Sequence, residues 1–211
     1  MASLLSLENA CYKRPEAAVK EDLEKFSVLL KKWAPAHNLV ALGDLPYLWA
    51  RHIQNSWQIC PYLAPTQPIV DLGAGAGFPG IILAILGYGP LILIDKLSKR
   101  CLFLNEVIMQ LGLKNVTIFQ GHMQDYDFSQ IGQDKPVQVV ARGFAPLETI
   151  CELLLPSWPY IHKGVFHKGA QAQAEIEQAQ KAFSCETQLY PDPSLQQGHI
   201  LELLHLSSKK S

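Results

Sequence analysis

The sequence predicts an α/β fold, a mostly parallel sheet covered on both faces with an N-terminal helical extension. Three observations carry this. Apolar, β-branched runs of strand length recur from Ile69 onwards. Helical stretches separate most of them, and continuous apolar strands alternating with helices read as parallel sheet buried on both sides. The first run, Ile69-Val70-Asp71-Leu72, passes directly into Gly73-Ala74-Gly75-Ala76-Gly77-Phe78-Pro79-Gly80 and then into Ile81-Ile82-Leu83-Ala84-Ile85-Leu86. Strand, tight glycine loop and helix in that order form the Rossmann-like cofactor-site arrangement.

The elements follow from local pattern. Val19, Leu23, Phe26, Leu30 and Trp33 fall at three- and four-residue steps and predict one helix. Leu45, Leu48, Trp49, His52, Ile53 and Ser56 predict a second, with Pro35 and Pro46 as punctuation. Pro61, Pro65 and Pro68 mark the entry to the first strand. Strands are expected at 68–72, 91–95, 115–120, 136–141, 164–168, 185–190 and 199–206, and helices at 79–86, 98–111, 146–155 and 171–183. Only Pro191 to Gly198 separates the last two strands, which suits an antiparallel pair at the sheet's end. The expected organisation is a helical extension over 1–60, a cofactor-binding domain over 61–206 and a short tail over 207–211.

Composition excludes several classes. The chain has 211 residues, enough for one full core, and a formal net charge of −1, so it is no general polyanion binder. Any nucleic-acid contact must come from a local basic patch. Cys11, Cys60, Cys101, Cys151 and Cys185 are odd in number, far apart and without a C-x-x-C pair, as expected of reduced thiols in a cytosol. The seven histidines lack metal-ligand spacing, so no metal is expected. Ser3-Leu4-Leu5-Ser6-Leu7 is short, lacks a basic start and is cut by Glu8, so it reads as no targeting segment. The apolar region from Ile81 to Ile94 is broken by Gly87-Tyr88-Gly89-Pro90, too early for a membrane span.

Two carboxylates bear on the cofactor. Gly75-Ala76-Gly77-Phe78-Pro79-Gly80 fits the dinucleotide fingerprint G-x-G-x-x-G, and the start of the following helix offers N–H groups to an anion. But Asp71 stands two residues before the first glycine, where it would repel a pyrophosphate. S-adenosylmethionine carries no phosphate and brings a sulfonium and an ammonium, which suit an acidic neighbour. Leu91-Ile92-Leu93-Ile94-Asp95 ends in a second carboxylate, placed for ribose hydroxyls. The competing readings are an NAD-type enzyme and a glycine turn flanked by surface aspartates.

Several segments resemble one family in order and in register. Asn38-Leu39-Val40, Arg51-His52-Ile53-Gln54-Asn55-Ser56, Asp71 to Gly80 with its Pro-Gly ending, Asp95 followed by Lys99-Arg100 and Phe103-Leu104, Ala141-Arg142-Gly143-Phe144-Ala145, and His167-Lys168-Gly169 are similar to motifs of the glucose-inhibited division protein B family. The resemblance covers most of the chain. It implies a class I S-adenosylmethionine-dependent methyltransferase fold, S-adenosylmethionine as donor, and methylation of a guanine N7 in 16S rRNA, with the RNA or the small ribosomal subunit as partner. The matching positions imply cofactor contacts at Gly73, Phe78, Met123, Gln124 and Arg142, beside Asp71, Gly75 and Asp95 from the loop argument. The family's usual arginine and glutamate after the third strand are His122 and Gln124 here, its R-H before the last strand is Gly198-His199, and Asn55 stands at an aspartate position.

Guanine N7 carries a lone pair and no proton, so its methylation requires no general base. Consistently, no Ser-His-Asp or Cys-His arrangement is evident. Arg142, at the carboxyl end of the fourth expected strand, is the candidate catalytic side chain; its guanidinium could serve guanine O6 or a phosphate. A salt bridge to Asp71 or Glu148 is its structural alternative. Lys99, Arg100, His122 and Lys168 are the candidate RNA contacts, each with a plain surface role as alternative. His52 and the tryptophans Trp33, Trp49 and Trp57 read as core. A methyltransferase of another substrate, or a cofactor-binding RNA-associated protein that has lost catalysis, stays open beside the leading reading.

Overall fold

The computed structural model describes residues 12–132 and 135–209. Cys11, the Ser3–Leu7 stretch and Lys210 lie outside the described residues. Strands β1 (Ile69–Leu72), β2 (Leu91–Asp95), β3 (Val116–Gln120), β4 (Val137–Arg142), β5 (Ile161–Lys168), β6 (Phe183–Pro191) and β7 (His199–Ser208) form one sheet in the order β3-β2-β1-β4-β5-β7-β6. The pairs from β3 to β5 are parallel. β7 is antiparallel to both β5 and β6, the latter as the short Pro191–Gly198 connection demands. Helices α1 (Glu16–His37), α2 (Gly80–Leu86), α3 (Ser98–Leu111), α4 (Ser129–Gly132), α5 (Leu147–Leu154) and α6 (Ala172–Ala182) flank the strands.

Central strands β1 and β2 are buried at every position, and β4 at every position before Arg142, whereas edge strand β3 has no fully buried residue. Two apolar layers result, one on each face. In the first, Val19, Leu23, Phe26 and Leu30 of α1 meet all-apolar α2 and the inner side of α3. In the second, α5 and α6 cover β4, β5 and β7. The N-terminal helix is thus part of a core layer; Phe26 meets Phe78 edge-on at 5.5 Å. Helix α1 carries Pro35 in its last turn and stops at Asn38, whose φ of 49° is a left-handed conformation that asparagine tolerates.

Two expectations are corrected. The second N-terminal helix is broken into three short segments, Leu42–Tyr47 and Trp57–Tyr62 with tight 3₁₀ geometry and Trp49–Gln54 with wider π geometry. Pro46 and Pro61 interrupt regular i to i−4 bonding there. The tail also begins later, because Ser207 and Ser208 pair with Ser184 and Phe183 in the β6–β7 ladder.

Candidate functional site

The glycine loop is built around two carboxylates. Asp71 is fully buried, and its Oδ2 accepts the Gly80 N–H at 2.8 Å. A Cβ on Gly80 would lie 2.3 Å from Leu93 Cδ2 and 2.6 Å from that oxygen, so only glycine lets α2 start against β1 and β2. Ile81 N–H is bonded to Gly77 O at 2.9 Å. The Gly80 and Ile81 amides, the first two of α2, are therefore consumed inside the protein, which corrects the expectation that they serve an anionic ligand. A pyrophosphate would have to compete with Asp71 and Gly77 for those two donors, which weakens the dinucleotide reading. Burial pushes the Asp71 carboxyl up to about 7, against the lowering pull of the Gly80 N–H and Arg142.

Asp95 holds the open side of the loop. Its Oδ2 accepts Gly75 N–H and its Oδ1 accepts Leu97 N–H, both at 2.9 Å, with Arg100 Nη1 3.5 Å away. A carboxylate has about four acceptor positions, so capacity remains for a ribose diol. Asp95 lines a cavity of about 320 Å³ together with Gly73, His122, Met123, Gln124 and Phe144. Gly73 has a φ of 66°, and a Cβ there would meet the Phe144 ring at 2.6 Å. The glycine thus admits the aromatic wall. The cavity's lining fits an adenosyl group: a carboxylate for the ribose, with apolar Met123, Leu97 and Phe144 around it.

A second cavity, about 690 Å³, lies on the other side of Gly143 and Phe144, which line both. Its wall includes Arg142, His52, Asn55, His167, Lys168 and Asp192. The Arg142 guanidinium lies 4.7 Å from the Phe78 ring centroid. Its Nη1 donates to Asn55 Oδ1 at 3.1 Å and to the His52 and Arg51 carbonyls at 3.3 and 3.4 Å. Its Nη2 donates to His52 Nδ1 at 3.0 Å, which puts the imidazole proton on Nε2, facing Asp44 Oδ2 at 3.6 Å. Neither Asp71 nor Glu148 is within ion-pair distance of Arg142, so that alternative is absent among the described residues. Desolvation lowers the guanidinium to about 10, which leaves it charged at neutral pH.

His167 is also buried. A carbonyl can only accept, so its Nε2–H donates to Asn55 O at 2.9 Å and leaves Nδ1 bare. Burial, with Arg142 nearby, takes the imidazole down to about 4, against the raising pull of the Asn55 carbonyl.

The predicted site residues separate into groups. Gly73, Asp95, Met123 and Gln124 meet at the smaller cavity, and Arg100 and His122 join them there. Arg142 and Lys168 stand at the larger one. Asp71, Gly75 and Phe78 line neither; they hold the loop from behind, and the Phe78 ring packs against both His52, at 5.3 Å, and the Arg142 guanidinium, which is itself bonded to His52. Lys99 is exposed at the start of α3, outside both cavities. Lys168 is not the free surface cation expected for RNA. Its side chain is 6 % exposed, and Nζ is bound to Glu175 Oε2 at 2.6 Å and Ala145 O at 2.8 Å. Sequence reasoning missed Phe144, Lys96, Glu175 and Asp192 as site residues. Phe144 lies within a quoted motif and Lys96 adjoins Asp95, so both could have been found; Glu175 and Asp192 lie in unremarkable polar stretches.

Residues 19–200 match the family described as rRNA small subunit methyltransferase G. This chain belongs to that family. Its relatives of that name include one from Caulobacter vibrioides, 34 % identical over 194 residues and covering 89 % of this chain and 85 % of that one. Another, from Gluconobacter oxydans, is 33 % identical over 184 residues, covering 87 % and 92 %. Among solved structures, the fold is similar to M. jannaschii TYW2 in complex with AdoMet, with a TM-score of 0.54, 16 % identity and 75 % and 76 % coverage. A Streptococcus agalactiae protein of the NADB-Rossmann superfamily has the same TM-score at 12 % identity, covering 72 % of this chain and 68 % of that one. As a member of the small subunit methyltransferase G family, the chain is a methyltransferase with S-adenosylmethionine as donor and a class I Rossmann-like fold. The NAD-type alternative is thereby removed.

Proposed function

We propose that the protein methylates N7 of a guanine in the 16S rRNA of the small ribosomal subunit, in the cytoplasm. The observation that carries this reading is the adjacency of the two cavities across Gly143 and Phe144, with Arg142 on the wall of the larger one. One cavity suits the donor and the other has room for a flipped base. S-adenosylmethionine supplies an electrophilic methyl on a sulfonium. The protein's task is to hold N7 in line with it, and such positioning can lower a barrier by roughly 7–11 kcal/mol.

Asp95 orients the ribose end and Gly73 with Phe144 sets the wall between the two partners. Arg142 has five N–H donors, and its Nε–H and one Nη2–H remain for guanine O6 or a phosphate. With His167 and His52 both lowered by burial, neither imidazole supplies a second fixed positive charge beside a base that becomes cationic on methylation. Exposed Lys96 and Lys99, with half-buried Arg100, form a local basic rim beside the donor cavity, suited to phosphate contact. His122 sits on the same rim, so its RNA role belongs to the donor side of the site.

Mapping N7-methylguanosine in small-subunit RNA from cells with and without the gene tests the reading. One modified guanosine should disappear with the gene and return with the wild-type copy. An unchanged methylation map would refute it. Incubating purified protein and donor with naked 16S rRNA or with intact subunits then identifies the acceptor.

A further inference from the structure

Arg142 is an inward-facing guanidinium with no carboxylate in direct contact among the described residues. The nearest path to one runs through Asn55. That residue is 2 % exposed. Its Oδ1 accepts from Arg142 Nη1 at 3.1 Å, and its Nδ2 donates to Asp192 Oδ2 at 2.6 Å and to Ser194 Oγ at 3.1 Å. Ser194 Oγ–H in turn donates to Asp192 Oδ1 at 2.6 Å, and Ser194 N–H to the same oxygen at 2.8 Å. Every direction in this chain is forced. A guanidinium only donates and a carboxylate only accepts, so the amide of Asn55 can lie only one way round.

Asp192 is 4 % exposed and begins the turn between β6 and β7. Its N–H donates to Gly198 O at 2.9 Å. A Cβ on Gly198 would come within 3.1 Å of the Asp192 Cβ and 2.7 Å of the Leu195 Cβ, so glycine keeps this turn compact over the carboxylate. Three segments far apart in sequence thus converge: the N-terminal turns, the end of β4 and the β6–β7 turn. The identities at 55 and 192 are coupled, because two carboxylates 2.6 Å apart could not both ionise.

We propose that Asp192, acting through Asn55, is a positioning residue for Arg142: a carboxylate–amide–guanidinium relay that aims the guanidinium at the substrate. The proposal rests on the reading that Arg142 serves substrate in the larger cavity. Charged or titratable groups also face Arg142 from the other elements around it: His52, Asp71 of β1 and His167 of β5.

The test compares Asp192→Asn, Asn55→Asp, the exchange variant carrying both substitutions, and Arg142→Ala. Methyl transfer to small-subunit RNA is measured as kcat and KM across pH, beside thermal melts and affinity for S-adenosylhomocysteine. Asp192→Asn should lower kcat about tenfold or more, the scale of one charge-assisted hydrogen bond, with cofactor affinity unchanged. Asn55→Asp should be active at acid pH, where the carboxylate pair shares a proton, and lose activity as pH rises through the pair's upper titration. The wild type should lack that step. The exchange variant keeps one carboxylate and one amide and should regain activity, now by a direct pair with Arg142. If Asp192→Asn is fully active while Arg142→Ala is not, the relay is wrong and the role of Arg142 stands. If Asp192→Asn misfolds, the exchange variant still decides, and a folded but inactive exchange variant overturns the relay. If Arg142→Ala matches the wild type, or the wild type transfers no methyl group, the reading beneath the relay fails and the relay falls with it.

Discussion

The guanidinium of Arg142 lies over the ring of Phe78, 4.7 Å from its centroid. Phe78 belongs to the glycine loop and also packs edge-on against Phe26 of α1. One aromatic ring therefore joins the N-terminal helix, the cofactor loop and the end of β4. A cation over a desolvated ring gains on the order of 2 kcal/mol, and among the described residues Arg142 has this contact in place of a direct ion pair. The aromatic wall orients the guanidinium without neutralising it.

Replacing Arg142 separates chemistry from stability. Arg142→Ala leaves Asn55 Oδ1 and His52 Nδ1 without their donor, at a cost of about 1–3 kcal/mol, so the melting temperature should drop by several degrees. Methyl transfer should fall by two orders of magnitude or more. Arg142→Lys, which keeps charge but cannot fork between two acceptors, should recover most of the stability and little of the rate. Parallel melts and methyl-incorporation assays decide; a loss of rate no larger than the loss of folded protein makes the residue structural.

Asp95 should govern donor affinity. Asp95→Ala would remove the proposed charge-assisted hydrogen bond to the ribose, together with the anchor of Gly75, and should weaken S-adenosylhomocysteine by on the order of 1.5–3 kcal/mol. Calorimetry with that ligand is the measurement, with NAD as the control that should not bind. Unchanged affinity in the variant would remove Asp95 from the site.

Lys168 should behave as a buried structural cation. Glu175 Oε2 accepts both Lys168 Nζ and the Leu147 N–H at the start of α5. Lys168→Met leaves that carboxylate poorly compensated and should cost on the order of 3 kcal/mol of stability. The salt dependence of RNA binding should stay as steep as in the wild type. A slope shallower by about one unit would instead mean a phosphate contact.

Two buried groups act on stability in opposite directions. The Asp71 carboxyl is raised to about 7 by burial, so its contribution is complete at acid pH and is lost as pH rises towards neutrality. The His167 imidazole is lowered to about 4, so its contribution is present above its ordinary range and is lost as pH falls through that window to about 4. In the wild type the two slopes largely cancel. Denaturant melts should show Asp71→Asn more acid-sensitive than the wild type, and His167→Gln losing stability as pH rises from about 4 to about 7. Parallel pH profiles for all three proteins would refute the assignment.

Much of the fold and of the proposed donor site was legible in the sequence, because both are local. Apolar runs from Ile69, Leu91 and Val137 had to be buried strands, and helices between them required parallel pairing. The glycine loop, Asp95 and Met123 each stand at the end of a strand or just after it, where chain order alone brings them to one edge of the sheet. What chain order could not supply was pairing across distance. The partners of Arg142 come from position 55 and, through it, position 192. Lys168 is claimed by Glu175, and the α2 amide of Gly80 by Asp71. Charge and position made those lysine and amide groups look available to RNA or to a phosphate. Only the tertiary structure decided that they are spent inside the protein, because a buried polar group must find its partner wherever packing brings one within reach.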